Sequence, residues 1–300
     1  MANGIFVGLS TVDVVYRVDE FPAANAKIVA RSQDVFAGGP ATNAAIAFAH
    51  LGGKATLVAA VGRHALTRVI VEELRRYSVN VIDLNPAFDE PPAISSVSVL
   101  ASGERSVVSA NATRLPVPAA LVDETVLAHA SAVLVDGHFM QACQAWSRAA
   151  RAGGVAVVLD GGSWKDGTAE LLNSVDAAIC SADFMPPVCT DADDVLRYLR
   201  DCGVTNVAIT GGAEPIRYVT GGIPGVVSVP RAGAVDTMGA GDILHGAFCY
   251  YSSLGRGFVE ALSEAAEVAS ESCRFFGTRE WMKHIRPAED TSTPGRFPLP

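Results

Sequence analysis

Asp242 closes a glycine-rich stretch, Asp236-Thr-Met-Gly-Ala-Gly-Asp242, that runs straight into Ile-Leu-His-Gly-Ala-Phe-Cys-Tyr-Tyr251. Ile243, Leu244, Ala247, Phe248 and Tyr251 recur at helical spacing, so the turn opens a helix. The first N–H groups of a helix have no intrahelical acceptor, and the helix dipole is positive at that end. Gly239, Ala240 and Gly241 therefore offer an anion hole. A carboxylate set in an anion hole points to phosphoryl transfer. The N–H groups hold the phosphate, and Asp242 takes a proton from the attacking hydroxyl. Its place at a helix N-terminus predicts that Asp242 stays ionised near neutral pH. The plainer reading of Asp242 is an N-terminal cap.

Two earlier positions carry polar chemistry. In Gly38-Gly39-Pro40-Ala41-Thr42-Asn43, the glycines allow close approach of backbone to a ligand, and Asn43 can bond a hydroxyl. Alone, this is equally a tight turn with a helix-start Asn. Asp13 follows the first apolar run, where a carboxylate can accept two vicinal hydroxyls; a turn aspartate is the plainer reading.

Something must position these residues. Ile5–Leu9, Ala55–Val61, Ala132–Val135, Val155–Leu159, Ala177–Cys180 and Val207–Thr210 read as buried strands. Ala41–Leu51, Leu66–Tyr77, Gln141–Ala152 and Ala192–Cys202 are amphipathic stretches between them. The alternation predicts an α/β fold with a mainly parallel sheet between two helical layers. Sites in such sheets lie at the carboxyl ends of the strands. Residues 12–36 and 93–110 break the rhythm with polar–apolar alternation. They predict antiparallel strands, either edge hairpins or a small β-sheet lid. Val226–Val229 reads as a short strand and Phe258–Phe276 as a late helix. Residues 1–285 read as one domain, and 286–300 as an irregular proline-rich tail.

A chain of 300 residues with 49% hydrophobic content can bury a large core. The net charge of −9 argues against a nucleic-acid partner. The six cysteines show no C-x-x-C spacing, which fits free thiols in a reducing compartment. No apolar run approaches the ~20 residues of a membrane span, and the N-terminus lacks a signal-peptide pattern. These features predict a cytoplasmic protein without membrane partners. There is no G-x-x-x-x-G-K-[ST], so the phosphate site is not a P-loop.

The order of these motifs resembles the PfkB/ribokinase family of carbohydrate kinases over nearly all of residues 3–278. A strand ending near Asp13, a Gly-Gly-x-x-x-Asn helix start, Ala47-Phe-Ala-His-Leu-Gly52 and Asp-Thr-x-Gly-Ala-Gly-Asp carry the likeness. Lys27-Ile-Val-Ala-Arg31, Leu74-Arg-Arg-Tyr-Ser-Val79 and Val158-Leu-Asp-Gly161 resemble the ketohexokinase and sulfofructose kinase branches. The resemblance implies a three-layer ribokinase-like fold and ATP-dependent phosphorylation of a ketose-like sugar or polyol. It implies Asp242 as catalytic base, and Asp13, Lys27, Gly39, Asn43, Asn111 and His138 around the substrate. It implies Thr210, Gly212 and Gly277 near the nucleotide. Mg²⁺ would accompany ATP, and backbone carbonyls of Asp236 and Met238 would hold a monovalent cation such as K⁺. Related kinases often pair through lid strands, so the resemblance also implies a homodimer.

Several positions depart from the family pattern. The Asn-x-x-Glu motif tied to Mg²⁺ becomes Ser181-Ala-Asp183-Phe184. The Thr-x-Gly-x-x-Gly nucleotide loop becomes Thr210-Gly-Gly-Ala-Glu-Pro215, and the Gly-Asp-x-x-Gly after the second core strand becomes Gly62-Arg-His-Ala-Leu-Thr67. His138, in Asp136-Gly-His138, stands where the related branches carry Arg; it is either a substrate contact or a structural histidine, and if that Arg binds an anionic group the exchange weakens the case for a sulfonated or phosphorylated sugar. A nucleoside kinase and a non-catalytic sugar- or nucleotide-binding relative are the alternatives. The intact Asp242 turn argues against the second.

Overall fold

The structure is a computed structural model that describes residues 2–110, 117, 122–231 and 233–285. In chain order its elements are β1 (Asn3–Val7), β2 (Thr11–Arg17), β3 (Ser32–Gly38), α1 (Pro40–His50), β4 (Lys54–Ala59), α2 (Thr67–Arg76) and β5 (Asn80–Asp83). Then follow β6 (Ile94–Val99), β7 (Arg105–Ser109), α3 (Glu124–Leu127), β8 (Ala132–Val135), α4 (Met140–Ala152), β9 (Ala156–Gly161) and α5 (Thr168–Leu171). The last are β10 (Ala177–Ser181), α6 (Ala192–Asp201), β11 (Asn206–Gly211), β12 (Glu214–Thr220), β13 (Ile223–Val227), α7 (Ala240–Ser253) and α8 (Phe258–Ser272).

Nine strands form the main sheet in the order β13-β12-β11-β10-β9-β8-β1-β4-β5. The run from β5 to β11 is parallel, and β12 and β13 close the other edge antiparallel. Strand β8, Ala-Val-Leu-Val, is buried at every residue, as a parallel strand covered on both faces must be. One core lies between the sheet and α1, α2, α7 and α8; a second lies between the sheet and α4–α6. This is the expected three-layer α/β/α architecture.

Helices α1 and α7 differ from the amphipathic α2 and α6. Their alanines and glycines let the two backbones approach closely: a Cβ on Gly246 of α7 would lie 3.0 Å from the backbone carbon of Ala44 in α1. This contact matters because α1 carries Asn43 and α7 carries Asp242.

Residues read as a lid form a separate four-stranded sheet, β3-β2-β6-β7. Strand β2 pairs antiparallel with β3 and parallel with β6. Val15, Val97 and Val99 of this sheet pack with Phe36, Met238 and Phe276, which seats it against Met238 of the Asp236–Asp242 turn and Phe276 in the segment after α8.

Residues 210–215 form a hairpin turn: Gly212 takes φ +64° between β11 and β12, and Pro215 lies inside β12. Three expectations shift. Strand β13 ends at Val227 rather than Val229, and α8 ends at Ser272 rather than Phe276. Asp13 is the third residue of β2, inside the small sheet, not in a turn after β1. The proline-rich tail lies outside the described residues.

Candidate active site

The Asp236–Asp242 turn is built by hydrogen bonds across the chain. One Asp236 carboxylate oxygen accepts from the Met238 N–H at 2.9 Å, and the other from the Gly277 N–H at 2.9 Å. The Val235 and Asp236 N–H groups donate to the Cys273 carbonyl at 2.7 and 3.1 Å. Gly239 then adopts φ +70° to enter α7, a conformation natural to glycine. A Cβ there would lie 2.7 Å from the Thr278 methyl. The turn thus depends on residues some forty positions further along the chain.

Asp242 stands in the first turn of α7. Its Oδ2 accepts from Asn43 Nδ2 at 2.7 Å. Protein packed around the carboxyl strips water from it, the Asp160 charge adds repulsion, and together they push its pKa up to about 7. The Asn43 bond and His245 pull the other way without prevailing. This corrects the expectation of a fully ionised carboxylate. Helix position alone favours the anion, but desolvation and a neighbouring aspartate outweigh it. A carboxyl that titrates near neutral pH can accept or release a proton at physiological pH.

Asp160, at the end of β9, is buried, and burial raises its pKa. Its Oδ2 lies 3.4 Å from His245 Nδ1. His245 reaches down from α7, with Nδ1 2.7 Å from the Gly241 carbonyl and Nε2 2.9 Å from the Ile179 carbonyl. Both ring nitrogens therefore face backbone carbonyl oxygens. A buried aspartate–histidine pair therefore lies beneath the first turn of α7.

Asp13 accepts from the Thr11 hydroxyl at 2.6 Å. Partial burial raises its pKa despite that bond and the nearby Arg279 charge. Gly38, on the partner strand β3, has its α-carbon against the Asp13 carboxylate, and any Cβ there would collide with it. Gly39 caps α1 at φ +94°, its space closed by the Leu9 carbonyl.

The other sequence candidates separate. Lys27 is exposed on the β2–β3 connection. His138 packs on Asp136: its backbone N–H donates to Asp136 Oδ1 at 2.9 Å, and Nδ1 lies 3.3 Å from the same oxygen. Burial opposes ionisation of Asp136, but the His138 charge and N–H donors hold its pKa below the ordinary range. Thr210 donates its hydroxyl to the Cys180 carbonyl at 3.3 Å, and Gly212 is exposed at the hairpin turn. Gly277 is buried with its N–H on Asp236. Met238 belongs to the small-sheet contact. Asn111 lies outside the described residues.

For metals, Phe184, the last residue of Ser181-Ala-Asp183-Phe184, is buried against Trp164 and brings no ligand oxygen. Among the described residues no group of three His, Cys, Asp or Glu side chains is placed to hold a metal ion. No helix among them is long and apolar enough to cross a membrane.

Sequence reading missed Arg279 and Glu73. Arg279 donates to Glu73 Oε1 at 2.7 Å, to Asn43 Oδ1 at 2.9 Å and to the Ala37 carbonyl at 2.7 Å. Arg279 sits two residues past Gly277, where no periodicity marks it, and Glu73 looks like one more charge on the polar face of α2.

Known proteins extend this picture. The sequence pattern of the pfkB family carbohydrate kinases matches residues 1–285. The ribokinase of Haemophilus influenzae is 22% identical over 266 residues, covering 85% of this chain and 87% of that protein. The structure of Arabidopsis thaliana ribokinase complexed with ribose and ATP superposes with TM-score 0.75 at 23% identity, covering 95% of this chain and 96% of the other. Adenosine kinase from Sinorhizobium meliloti superposes with TM-score 0.77 at 21% identity, covering 93% and 95%. Those two likenesses show the fold. A glycine turn closing on a carboxylate, within a family pattern spanning residues 1–285, places this chain in the pfkB family of carbohydrate kinases, ribokinase-like enzymes that move a phosphoryl group from ATP to a sugar hydroxyl.

Proposed function

We propose that this kinase phosphorylates a small neutral sugar, with ribose the first candidate and ketoses the second. The observation that carries this reading is Asp242, held by Asn43 at the anion-hole turn with a pKa of about 7. In this reading Asp13, Gly39 and Asn43 hold the sugar. Asp242 accepts the proton of the attacking hydroxyl, and the Gly239, Ala240 and Gly241 N–H groups steady the transferring phosphoryl. Asp242 need not take that proton early, since a loose transition state leaves the nucleophile little deprotonated.

Charge supports a neutral substrate. Asp13 and Asp242 supply negative charge. Arg279 is committed to Glu73, Asn43 and Ala37, and the Lys165 ammonium lies on the Asp136 and Ser163 carbonyls. The ketose preference rests on branch likeness, whereas the Haemophilus relative is a ribokinase. Mg²⁺ enters as the ATP complex, held chiefly by the phosphates, because Phe184 brings no carboxylate. A monovalent cation such as K⁺ would rest on the Asp236 and Met238 backbone carbonyls, since the Asp236 carboxylate is already engaged.

ADP release over a panel of ribose, ketohexoses, polyols, sulfonated sugars and nucleosides, with MgATP and K⁺, tests the assignment. We expect turnover with ribose or a neutral ketose. Turnover confined to nucleosides, the reading that the adenosine-kinase likeness raises, or to sulfonated sugars overturns it.

The small sheet acts in this reading as the lid, and its edge suggests a second copy. Strand β7 is exposed along its length, with Val107 and Val108 open to solvent. An exposed apolar edge strand is a template for pairing. A homodimer is the expected state.

A further inference from the structure

Arg279 belongs to none of the recognised motifs, yet it touches the lid at β3, the sugar floor at α1 and the helix α2. Nε donates to Glu73 Oε1 at 2.7 Å, and Nη2 to the Ala37 carbonyl at 2.7 Å. Nη1 donates to Asn43 Oδ1 at 2.9 Å and to the Thr278 carbonyl at 3.3 Å. Four of the five guanidinium N–H groups are thus engaged within the protein. Both side chains of the Arg279–Glu73 pair are largely buried. Such a group is arranged to hold its neighbours rather than to bind a substrate.

The neighbour that matters is Asn43. A primary amide is nearly symmetric in shape and can turn over, exchanging its oxygen and nitrogen. Asp242 alone does not decide which end it meets, because a carboxyl with a pKa of about 7 can accept or donate. Arg279 decides it. A guanidinium only donates, so the amide oxygen must face Arg279 and the NH₂ must face Asp242. Asp242 Oδ2 then stays an acceptor, and the carboxyl proton is confined to Oδ1.

The same pair grips the lid. Glu73 Oε2 accepts from the Ala37 N–H at 2.6 Å while Arg279 takes the Ala37 carbonyl. Ala37 lies in β3, opposite Val12 and next to Gly38, which faces Asp13.

We propose that Arg279 is a positioning residue for phosphoryl transfer: keyed by Glu73, it fixes the Asn43 amide so that its NH₂ faces Asp242, and it ties that orientation to the root of lid strand β3. This rests on Asp242 being the base.

The test combines Arg279→Lys, which keeps the charge and loses the fork, with Asn43→Ala and the double variant. Using the acceptor that the ADP panel identifies, we expect Arg279→Lys and Asn43→Ala each to lower kcat roughly 10- to 100-fold, with the KM for ATP unchanged. The double variant should be no slower than Asn43→Ala. Wild-type kcat in Arg279→Lys, or losses that multiply in the double variant, overturns the proposal. A second readout needs no acceptor: ¹³C titration of the Asp242 carboxyl in ligand-free enzyme, assigned by comparison with Asp242→Asn. Arg279→Lys and Asn43→Ala should each move that titration upward, and the double variant no further than Asn43→Ala. An unmoved titration in Arg279→Lys overturns the positioning role, whereas failure of every sugar to react overturns the substrate assignment instead.

Discussion

Asn43 in α1 donates its side-chain amide to the Asp242 carboxylate in α7 across 2.7 Å, joining residues 199 positions apart. The bond is possible because Gly246 allows α7 to lie against Ala44 of α1.

If Asp242 is the base, Asp242→Asn should lower turnover by about 10²–10⁴-fold, the usual contribution of a general base. Nucleotide affinity should barely change. Steady-state ADP release and equilibrium binding of an ATP analogue measure the two effects separately.

A base with a pKa near 7 fixes the sign of the pH profile. Activity needs the ionised form, so kcat/KM for the sugar should climb as pH rises toward 7 and level off above it. Burial and the Asp160 charge set that pKa. Asp160→Asn should therefore move the acid limb to lower pH, and a limb that stays in place would remove Asp160 from this role.

The same shift makes a stability prediction. Asp242 binds its proton more tightly folded than unfolded, where the pKa is near 3.8. Its destabilising effect therefore grows as pH rises from about 4 to 7 and is complete above that range. Asp242→Asn removes a charge that the fold resists. Its Tm should exceed that of wild type by several degrees at pH 8, and the gain should shrink at pH 5. Differential scanning calorimetry at the two pH values checks this.

Gly246→Ala places a methyl against the Ala44 backbone. Overpacking of this kind costs about 1–3 kcal/mol. It should also slow turnover, because the helices it separates carry Asn43 and Asp242. Thermal unfolding and kcat should fall together.

Pairing through β7 should give a dimeric mass in light scattering at micromolar concentration, and Val108→Lys should shift it toward monomer. A monomeric wild type contradicts the expected assembly.

The glycine turn was legible because its residues are contiguous and their chemistry is local. The parallel sheet was legible because strands buried on both faces write long apolar runs, as in β8. Arg279 was not legible: apart from the Thr278 carbonyl beside it, its partners come from α1, α2 and β3, and nothing near it in sequence announces them. The Asp242 proton was hidden for a related reason. Its position in α7 can be read along the chain, but Asp160 arrives from β9 and only the fold brings the charges together. The β11–β12 hairpin was masked by glycines that suit a turn and a phosphate loop equally well.

Gly38 pairs with Thr11, and the Asp13 carboxylate reaches diagonally across the paired strands into the volume that any Cβ at 38 would need. In inheritance positions 13 and 38 act as one character. A lineage that changes its sugar by replacing Asp13 with a smaller residue frees position 38 to vary, and one that first gains a side chain at 38 loses the carboxylate's seat. Relatives that keep an acid at 13 should therefore keep glycine at 38, and substitutions at the two positions should appear together.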